Sequence, residues 1–369
     1  MQKEMTMTGK KWLRTFLILF ICSLLAVGGV VFYVDPFFHY RVPREYFYYR
    51  LYDQRSQNDG ITRNFSYDAI LTGTSMAENF RTSQLDELFG CDFVKVIYSG
   101  ATYKEINDNL KVSYESGHSP KLVFRPIDYS LLLKDKDEMR EDMGDYPVWL
   151  TNKNPFDDVK YLLNRDVIFN YTLPVLISYF GGANPGVTSF DEYSYTGDDN
   201  VFSREVVLEG RSGFEDPAET VPLTDEDIKM VTENMEQNVV SLARQHPETT
   251  FIYFFPPYSM AYWGGIRQEG NLERYVSLVR MAAGQMLECG NIHVYCFGFC
   301  EDVTGNLDNY RDVAHYSPEI NDLITEEIAE IENGGLSADK YRLRITKDNC
   351  DSFFEDYRKY LENYDYNQL

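Results

Sequence analysis

In the stretch Ile70-Leu71-Thr72-Gly73-Thr74-Ser75-Met76 a short apolar run stops at Thr72-Gly73-Thr74, and Ser75 leads into residues that can be helical. A serine hydroxyl is a weak nucleophile near neutral pH. It attacks a carbonyl carbon when an imidazole takes its proton and a carboxylate holds that imidazole in the right tautomer. The chain has five histidines, so elimination works. His39 lies beside an apolar N-terminal stretch, and His246 ends a helical pattern next to Pro247. His118 precedes one expected strand and His293 starts another, which puts both at the amino ends of strands. His315 alone falls beyond the carboxyl end of a strand, and Asp312 precedes it by three residues, so one turn brings carboxylate and ring together. Each residue also has an ordinary reading. Ser75 can be a helix cap, Asp312 a cap or surface charge, His315 a surface histidine, and Gly100 a tight turn. The conjunction in this chain order favours the chemical reading.

These residues need a scaffold, and the hydrophobic pattern supplies one. Short apolar runs at 69–71, 93–98, 121–125, 250–255 and 292–297 read as strands. Helical patterns lie at 76–89, 103–114, 224–245, 272–287, 318–331 and 351–364. Thr224 with Asp227 has capping-box spacing. Strands alternating with helices predict an α/β fold, a flavodoxin-like three-layer sandwich with a five-stranded parallel sheet. In such sheets ligands sit beyond the carboxyl ends of the strands. The rim then receives Ser75, Ser99-Gly100-Ala101, Ile127-Asp128-Tyr129, Pro256-Pro257-Tyr258 and Asp312-Val313-Ala314-His315 in turn. Residues 130–222 break the alternation and read as a large insertion after strand three, packed over one end of the sheet. The expected organisation is an anchor at 1–34, a connector at 35–66 rich in Tyr and Arg, the α/β domain at 67–335, and an acidic, aromatic, helical segment at 336–369.

Residues 12–34 read as one transmembrane helix. Residues 15–34 carry no charge, the length needed to cross the hydrocarbon core. Lys3, Lys10, Lys11 and Arg14 precede them against Glu4 alone, which predicts a single-pass protein of the cell membrane with a cytoplasmic N-terminus and an extracytoplasmic domain. A signal peptide cleaved near Ala26-Val27-Gly28 is the other reading. It is disfavoured because the apolar run continues through Tyr33. The chain of 369 residues has a net charge of −23 and no basic stripe, which argues against nucleic acid. Six cysteines without paired CxxC spacing give no zinc signature, and no metal or cofactor is expected. One disulfide is allowed, with buried thiols the reading for most of the cysteines.

The order Gly73-Thr74-Ser75, then Gly100, then Asp312-Val313-Ala314-His315 resembles the SGNH (GDSL-like) hydrolase superfamily. The apolar N-terminus, Gly73-Thr74-Ser75-Met76-Ala77-Glu78-Asn79-Phe80 and Asp312-Val313-Ala314-His315-Tyr316-Ser317-Pro318 look more narrowly like a divergent, membrane-anchored, extracytoplasmic group. That group is similar to the DltD proteins of teichoic-acid D-alanylation and, more distantly, to alginate O-acetylation proteins. The resemblance spans about residues 67–331. It implies Ser75 as nucleophile, His315 as base, Asp312 as its orienting partner and the Gly100 N–H at the oxyanion. It also implies an acyl donor or cell-envelope glycopolymer as substrate and a multipass membrane acyltransferase as partner. One departure stands out: where the superfamily's third block carries an asparagine, this chain reads Arg125-Pro126-Ile127-Asp128. A carboxylate opposes a developing oxyanion, and losing one donor there costs about a hundred- to a thousand-fold in rate. Either the oxyanion hole uses only the backbone N–H groups of Ser75 and Gly100, or Asp128 has another role, such as positioning a substrate hydroxyl or bracing the loop. The expected function is an O-acyltransferase or acylesterase on an extracytoplasmic polysaccharide or teichoic-acid-like polymer. The alternative is an inactive scaffold or polymer-binding protein on the same fold.

Overall fold

Five apolar segments of five or six residues, each too short for a stable helix in isolation, pair side by side in the computed structural model, which describes all residues except Met1, Met143, Asp145, Lys153, Ser212 and Ala218, and the side chains of residues 2–8. The chain divides into two compact units, residues 1–65 with 146–188 and residues 66–145 with 189–369.

The second unit holds the sheet. Its strands are β1 (Ala69–Gly73), β2 (Phe93–Ile97), β3 (Leu122–Pro126), β4 (Thr250–Phe255), β5 (Ile292–Cys296) and β6 (Arg344–Ile345), in the spatial order β2-β1-β3-β4-β5-β6. The first five run parallel, and β6 pairs antiparallel with β5. The expected purely parallel five-stranded sheet is thus corrected to a six-stranded mixed one. The extra strand is a two-residue ladder in which Arg344 donates to Tyr295 Oη at 2.5 Å and to Glu332 Oε1 at 2.6 Å. Two residues are too few to show a period.

Nearly every residue of the parallel strands is buried, as a sheet covered on both faces requires. The covering helices are α1 (Thr82–Phe89), α2 (Tyr103–Glu115), α3 (Asp225–Met235), α4 (Met260–Gln268), α5 (Leu272–Leu287), α6 (Pro318–Gly334) and α7 (Cys350–Asn363). α1 packs on α6, while α5 packs on α3 and α7. The capping box read at Thr224 and Asp227 forms at the start of α3. The sheet order reverses at β1, whose neighbours β2 and β3 lie on opposite sides, and the crevice beyond their carboxyl ends is where doubly wound sheets bind ligands.

The first unit is built on a helix over Gln2–Val34. An 18-residue stretch within its residues 9–34 has a mean hydropathy of 2.7, and the helix is long and apolar enough to cross a membrane or to serve as a signal sequence. Val31, Phe37, Leu150, Tyr161 and Val167 form this unit's core cluster. The stretch read as one insertion therefore divides: residues 146–188 belong to the first unit, while 130–145 and 189–222 stay with the sheet. All six cysteines are free.

Candidate active site

β1 ends at Gly73, whose φ of +152° favours glycine; a Cβ there would press on the Pro126 ring and on Ala77. Thr74 follows as the cap of a single turn of 3-10 helix, Ser75–Ala77, its Oγ1 accepting the Met76 N–H at 3.3 Å. The capping role open to Ser75 is therefore filled by Thr74, and the Ser75 hydroxyl is left for another partner. That partner is His315: Ser75 Oγ and His315 Nε2 are 2.8 Å apart. His315 Nδ1 lies 2.7 Å from Asp312 Oδ2. Three of the five sequence-selected side chains thus meet at one point, across 240 residues of chain.

The Asp312 turn is self-bracing. Asp312 Oδ1 accepts the N–H groups of Ala314 and His315, both at 2.8 Å. The Arg311 N–H closes on His315 O at 3.0 Å. From the β4 end, Ser259 donates its N–H (3.1 Å) and its hydroxyl (2.7 Å) to Val313 O. Partial burial of Asp312 pushes its carboxyl up, but the His315 ring and the two backbone donors outweigh this and hold it down to about 2. The ionised carboxylate only accepts hydrogen bonds, so Nδ1 carries a proton towards Asp312 and Nε2 is the ring nitrogen that faces the Ser75 hydroxyl. Ser75, Asp312 and His315 are all partly open to solvent.

Asp128 follows β3 and is buried. Its Oδ2 accepts from Thr74 Oγ1 at 2.8 Å and its Oδ1 from Tyr258 Oη at 3.0 Å. Both oxygens thus face protein hydroxyls. Burial raises its pKa, partly offset by those two hydrogen bonds and by the charges of His315 and Arg125. Of the two expected roles, the contacts are those of a brace for the Thr74-Ser75 corner.

Gly100 sits in the loop after β2 with φ +68°. The Tyr98 N–H reaches Gly73 O at 2.9 Å, so this loop runs beside the end of β1, and Ser99 Oγ bonds the Glu78 carboxylate. No hydrogen bond joins Gly100 to Ser75. Among the described residues the N–H groups of Ser75 and Gly100 have no backbone partner. Gly100 lies against the Arg140 guanidinium and lines a cleft of about 890 Å³ with Thr102, Leu131 and Lys134; Ser75 and His315 are not in its walls.

Several contributors went unread in the sequence. Thr74 and Tyr258 act through Asp128, and Ser259 through the His315 turn. Tyr316 donates to Met76 O at 3.3 Å. Thr196, from the middle of the chain, donates its N–H to Asn79 Oδ1 at 2.9 Å and its hydroxyl to Glu78 Oε2 at 3.3 Å. The one available signal was Tyr258, which falls at the rim position after β4.

No family model and no curated protein matches the chain. Among solved structures, a Streptococcus pneumonia chain described as "a putative platelet activating factor" is similar over 76% of this chain and 90% of its own, at 13% identity and a TM-score of 0.37. A likeness at that level carries no argument about function.

Proposed function

We propose that this protein is a serine-dependent acyl-ester enzyme. The observation that carries the reading is the series Ser75 Oγ, His315 Nε2 and Asp312 Oδ2, joined at 2.8 and 2.7 Å. Ser75 Oγ attacks the ester carbonyl while His315 Nε2 takes the hydroxyl proton. The tetrahedral oxyanion collapses, and the alcohol leaves with that proton. The acyl-Ser75 ester is then attacked by a second hydroxyl, which His315 deprotonates in turn; the new tetrahedral oxyanion collapses, the acyl–Oγ bond breaks, and His315 returns the proton to Ser75 Oγ. Water makes the protein an esterase, and a sugar or polyol hydroxyl makes it an O-acyltransferase. Asp312 keeps the imidazole in the required tautomer and stabilises its charged form. The N–H groups of Ser75 and Gly100, which have no backbone partner among the described residues, are the donors assigned to the oxyanion. Asp128 braces the serine corner and gives the oxyanion no donor, so turnover is slow and directed to a dedicated substrate.

The resemblance to the SGNH superfamily and its envelope-modifying members directs the reading to a membrane-held domain outside the cytoplasm. Its substrate would be an acyl-bearing polysaccharide or teichoic-acid-like polymer, and a multipass membrane acyltransferase its acyl source. The test uses the full chain in detergent with a serine-directed fluorophosphonate and with acetyl and D-alanyl esters. A covalent adduct on Ser75, absent in Ser75→Ala, is expected, together with a loss of turnover of about 10⁴-fold or more in that variant. An unlabelled Ser75 in a folded chain would instead identify a non-catalytic scaffold of the same fold.

A further inference from the structure

The first unit carries an apolar element that the ester chemistry does not use. Residues 167–180 form a continuous helical run, Val167–Thr172 as π-helix and Leu173–Phe180 as α-helix. At this length the run cannot cross a hydrocarbon core, which takes about 20 residues, and is either a buried core helix or an interfacial segment. Burial separates the two. Val167, Thr172 and Val175 point inward, at 2%, 2% and 7% exposure. Phe169, Leu173, Ile177 and Phe180 point outward, at 59%, 41%, 62% and 82%. Their spacing of four, four and three places them along one side of the helix. A continuous apolar stripe of this kind marks an interaction surface.

The helix lies against the C-terminal end of the Gln2–Val34 helix. Ala26, Val27 and Val30 face Phe169, Leu173 and Leu176 across an apolar cleft of about 320 Å³. The level of this cleft can be measured along the long helix. Arg41 Nη1 donates to Phe32 O and Arg44 Nε to Tyr33 O, both at 2.7 Å. The two guanidinium groups also stack over the Phe32 and Tyr33 rings at 4.3 and 4.1 Å. These arginines satisfy carbonyls left open at a helix end, and arginine with tyrosine at the end of an apolar span marks the head-group level. The long-helix wall of the cleft runs from Ala26 to Val31, six to one residues before Phe32, so it reaches from just below the arginine level to about 9 Å deeper at 1.5 Å per residue. The cleft is therefore on the hydrocarbon side of the arginine belt. Arg165 and Asp166 at the start of the short helix are exposed and mark its polar end.

We propose that residues 167–180 are an interfacial helix, lying in the leaflet at the C-terminal end of the long helix. Phe169, Leu173, Ile177 and Phe180 sit among acyl chains, and a lipid chain fills the cleft. The occupant is the bilayer itself because the stripe is continuous with the apolar surface of the long helix, and because about 9 Å matches the depth an amphipathic helix reaches, about 5–10 Å. The inference rests on residues 9–34 crossing the membrane and is independent of the Ser75 chemistry.

The test places nitroxide labels on Ile177→Cys, Phe180→Cys and Val201→Cys in the full chain, with Cys22, Cys91 and Cys300 changed to serine. The chain is held in vesicles of phosphatidylcholine and phosphatidylglycerol. Collision with oxygen should exceed collision with a water-soluble nickel chelate at 177 and 180, with the reverse at the exposed control 201. Nickel reaching 177 and 180 as readily as 201 would overturn the proposal. So would exclusion of both reagents, which would mean that a protein partner or second copy covers the stripe. A label on native Cys22, in a chain with Cys91→Ser and Cys300→Ser, separates the premises. If Cys22 is embedded and 177 is wet, the interfacial helix fails while the span stands; if Cys22 is wet, both fail.

Discussion

Asp312 accepts the backbone of its own turn with one oxygen and the His315 ring with the other, so its removal should act on chemistry and stability separately. Asp312→Asn can offer the ring either a carbonyl oxygen or an NH₂ group, and the latter forces the tautomer with Nε2 protonated. Ser75 then loses its acceptor, and turnover should fall by about 10⁴-fold. The carboxyl is held at about 2 in the fold, below its usual value near 4. Its contribution to stability is therefore complete above the unfolded value and lost as pH falls through the folded one. Denaturant midpoints between pH 6 and 2 should drop less steeply in Asp312→Asn than in the parent, and equal slopes would refute the linkage. Asp128 makes the opposite case. Its raised pKa means that burying the charge costs stability as pH climbs past the unfolded range. Asp128→Asn keeps an acceptor for Thr74 and gives Tyr258 a donor, so turnover within about tenfold of the parent and a higher midpoint at neutral pH are expected. Asp128→Ala leaves the Thr74 and Tyr258 hydroxyl protons without this acceptor, at about 1–3 kcal/mol. If the asparagine variant is as inactive as Ser75→Ala, the carboxylate does more than brace.

Among the elements, β2 departs most from its pattern. Phe93-Val94-Lys95-Val96-Ile97 is buried throughout, with the lysine fully inside. Lys95 Nζ donates to Phe80 O at 3.1 Å and also to Glu78 O, so it ties down the segment that runs from Ser75 to α1. Burial lowers its pKa to about 7, against the opposing pull of the Asp191 and Glu78 carboxylates. Between that value and an unfolded one of about 10.4, the unfolded chain binds more protons, so this group makes stability rise with pH. Lys95→Met should remove that slope. Its midpoint relative to the parent should be most favourable at or below pH 7 and decline towards pH 10; a constant difference would refute the assignment. The same segment shows what a sequence can reveal. α5, α6 and α7 were legible because they are long and periodic. The single helix expected over 76–89 is instead one 3-10 turn and a separate α1. Between them Phe80 turns inward, with ring centroids 5.5 Å from Phe124 and 5.7 Å from Phe254. Ser75, Asp312 and His315 could be selected because histidines are few and strand ends are predictable. Thr74 and Tyr258 could be placed near the rim but not given a role, because no spacing rule tells that their hydroxyls pair with Asp128, 54 and 130 residues away.

At the scale of the whole molecule, the two units have cores of different origin. Val31, in the long N-terminal helix, is a member of the cluster that organises the first unit, with Trp149 packed against it. The second unit's sheet is closed by its own aromatics: Trp263 is buried with ring centroids 5.1 Å from Tyr129 and 5.6 Å from Tyr357. The first core therefore depends on the medium around the helix, and the second on burial of surface within residues 66–145 and 189–369. Unfolding should not be a single transition, as is common for chains with more than one core. Two variants isolate the reporters, Trp12→Phe with Trp263→Phe to leave Trp149, and Trp12→Phe with Trp149→Phe to leave Trp263. On transfer of the full chain from lipid vesicles to a short-chain detergent, the Trp149 midpoint should fall while the Trp263 midpoint stays. Two reporters that move together by the same amount would show one cooperative unit and refute this separation of the cores.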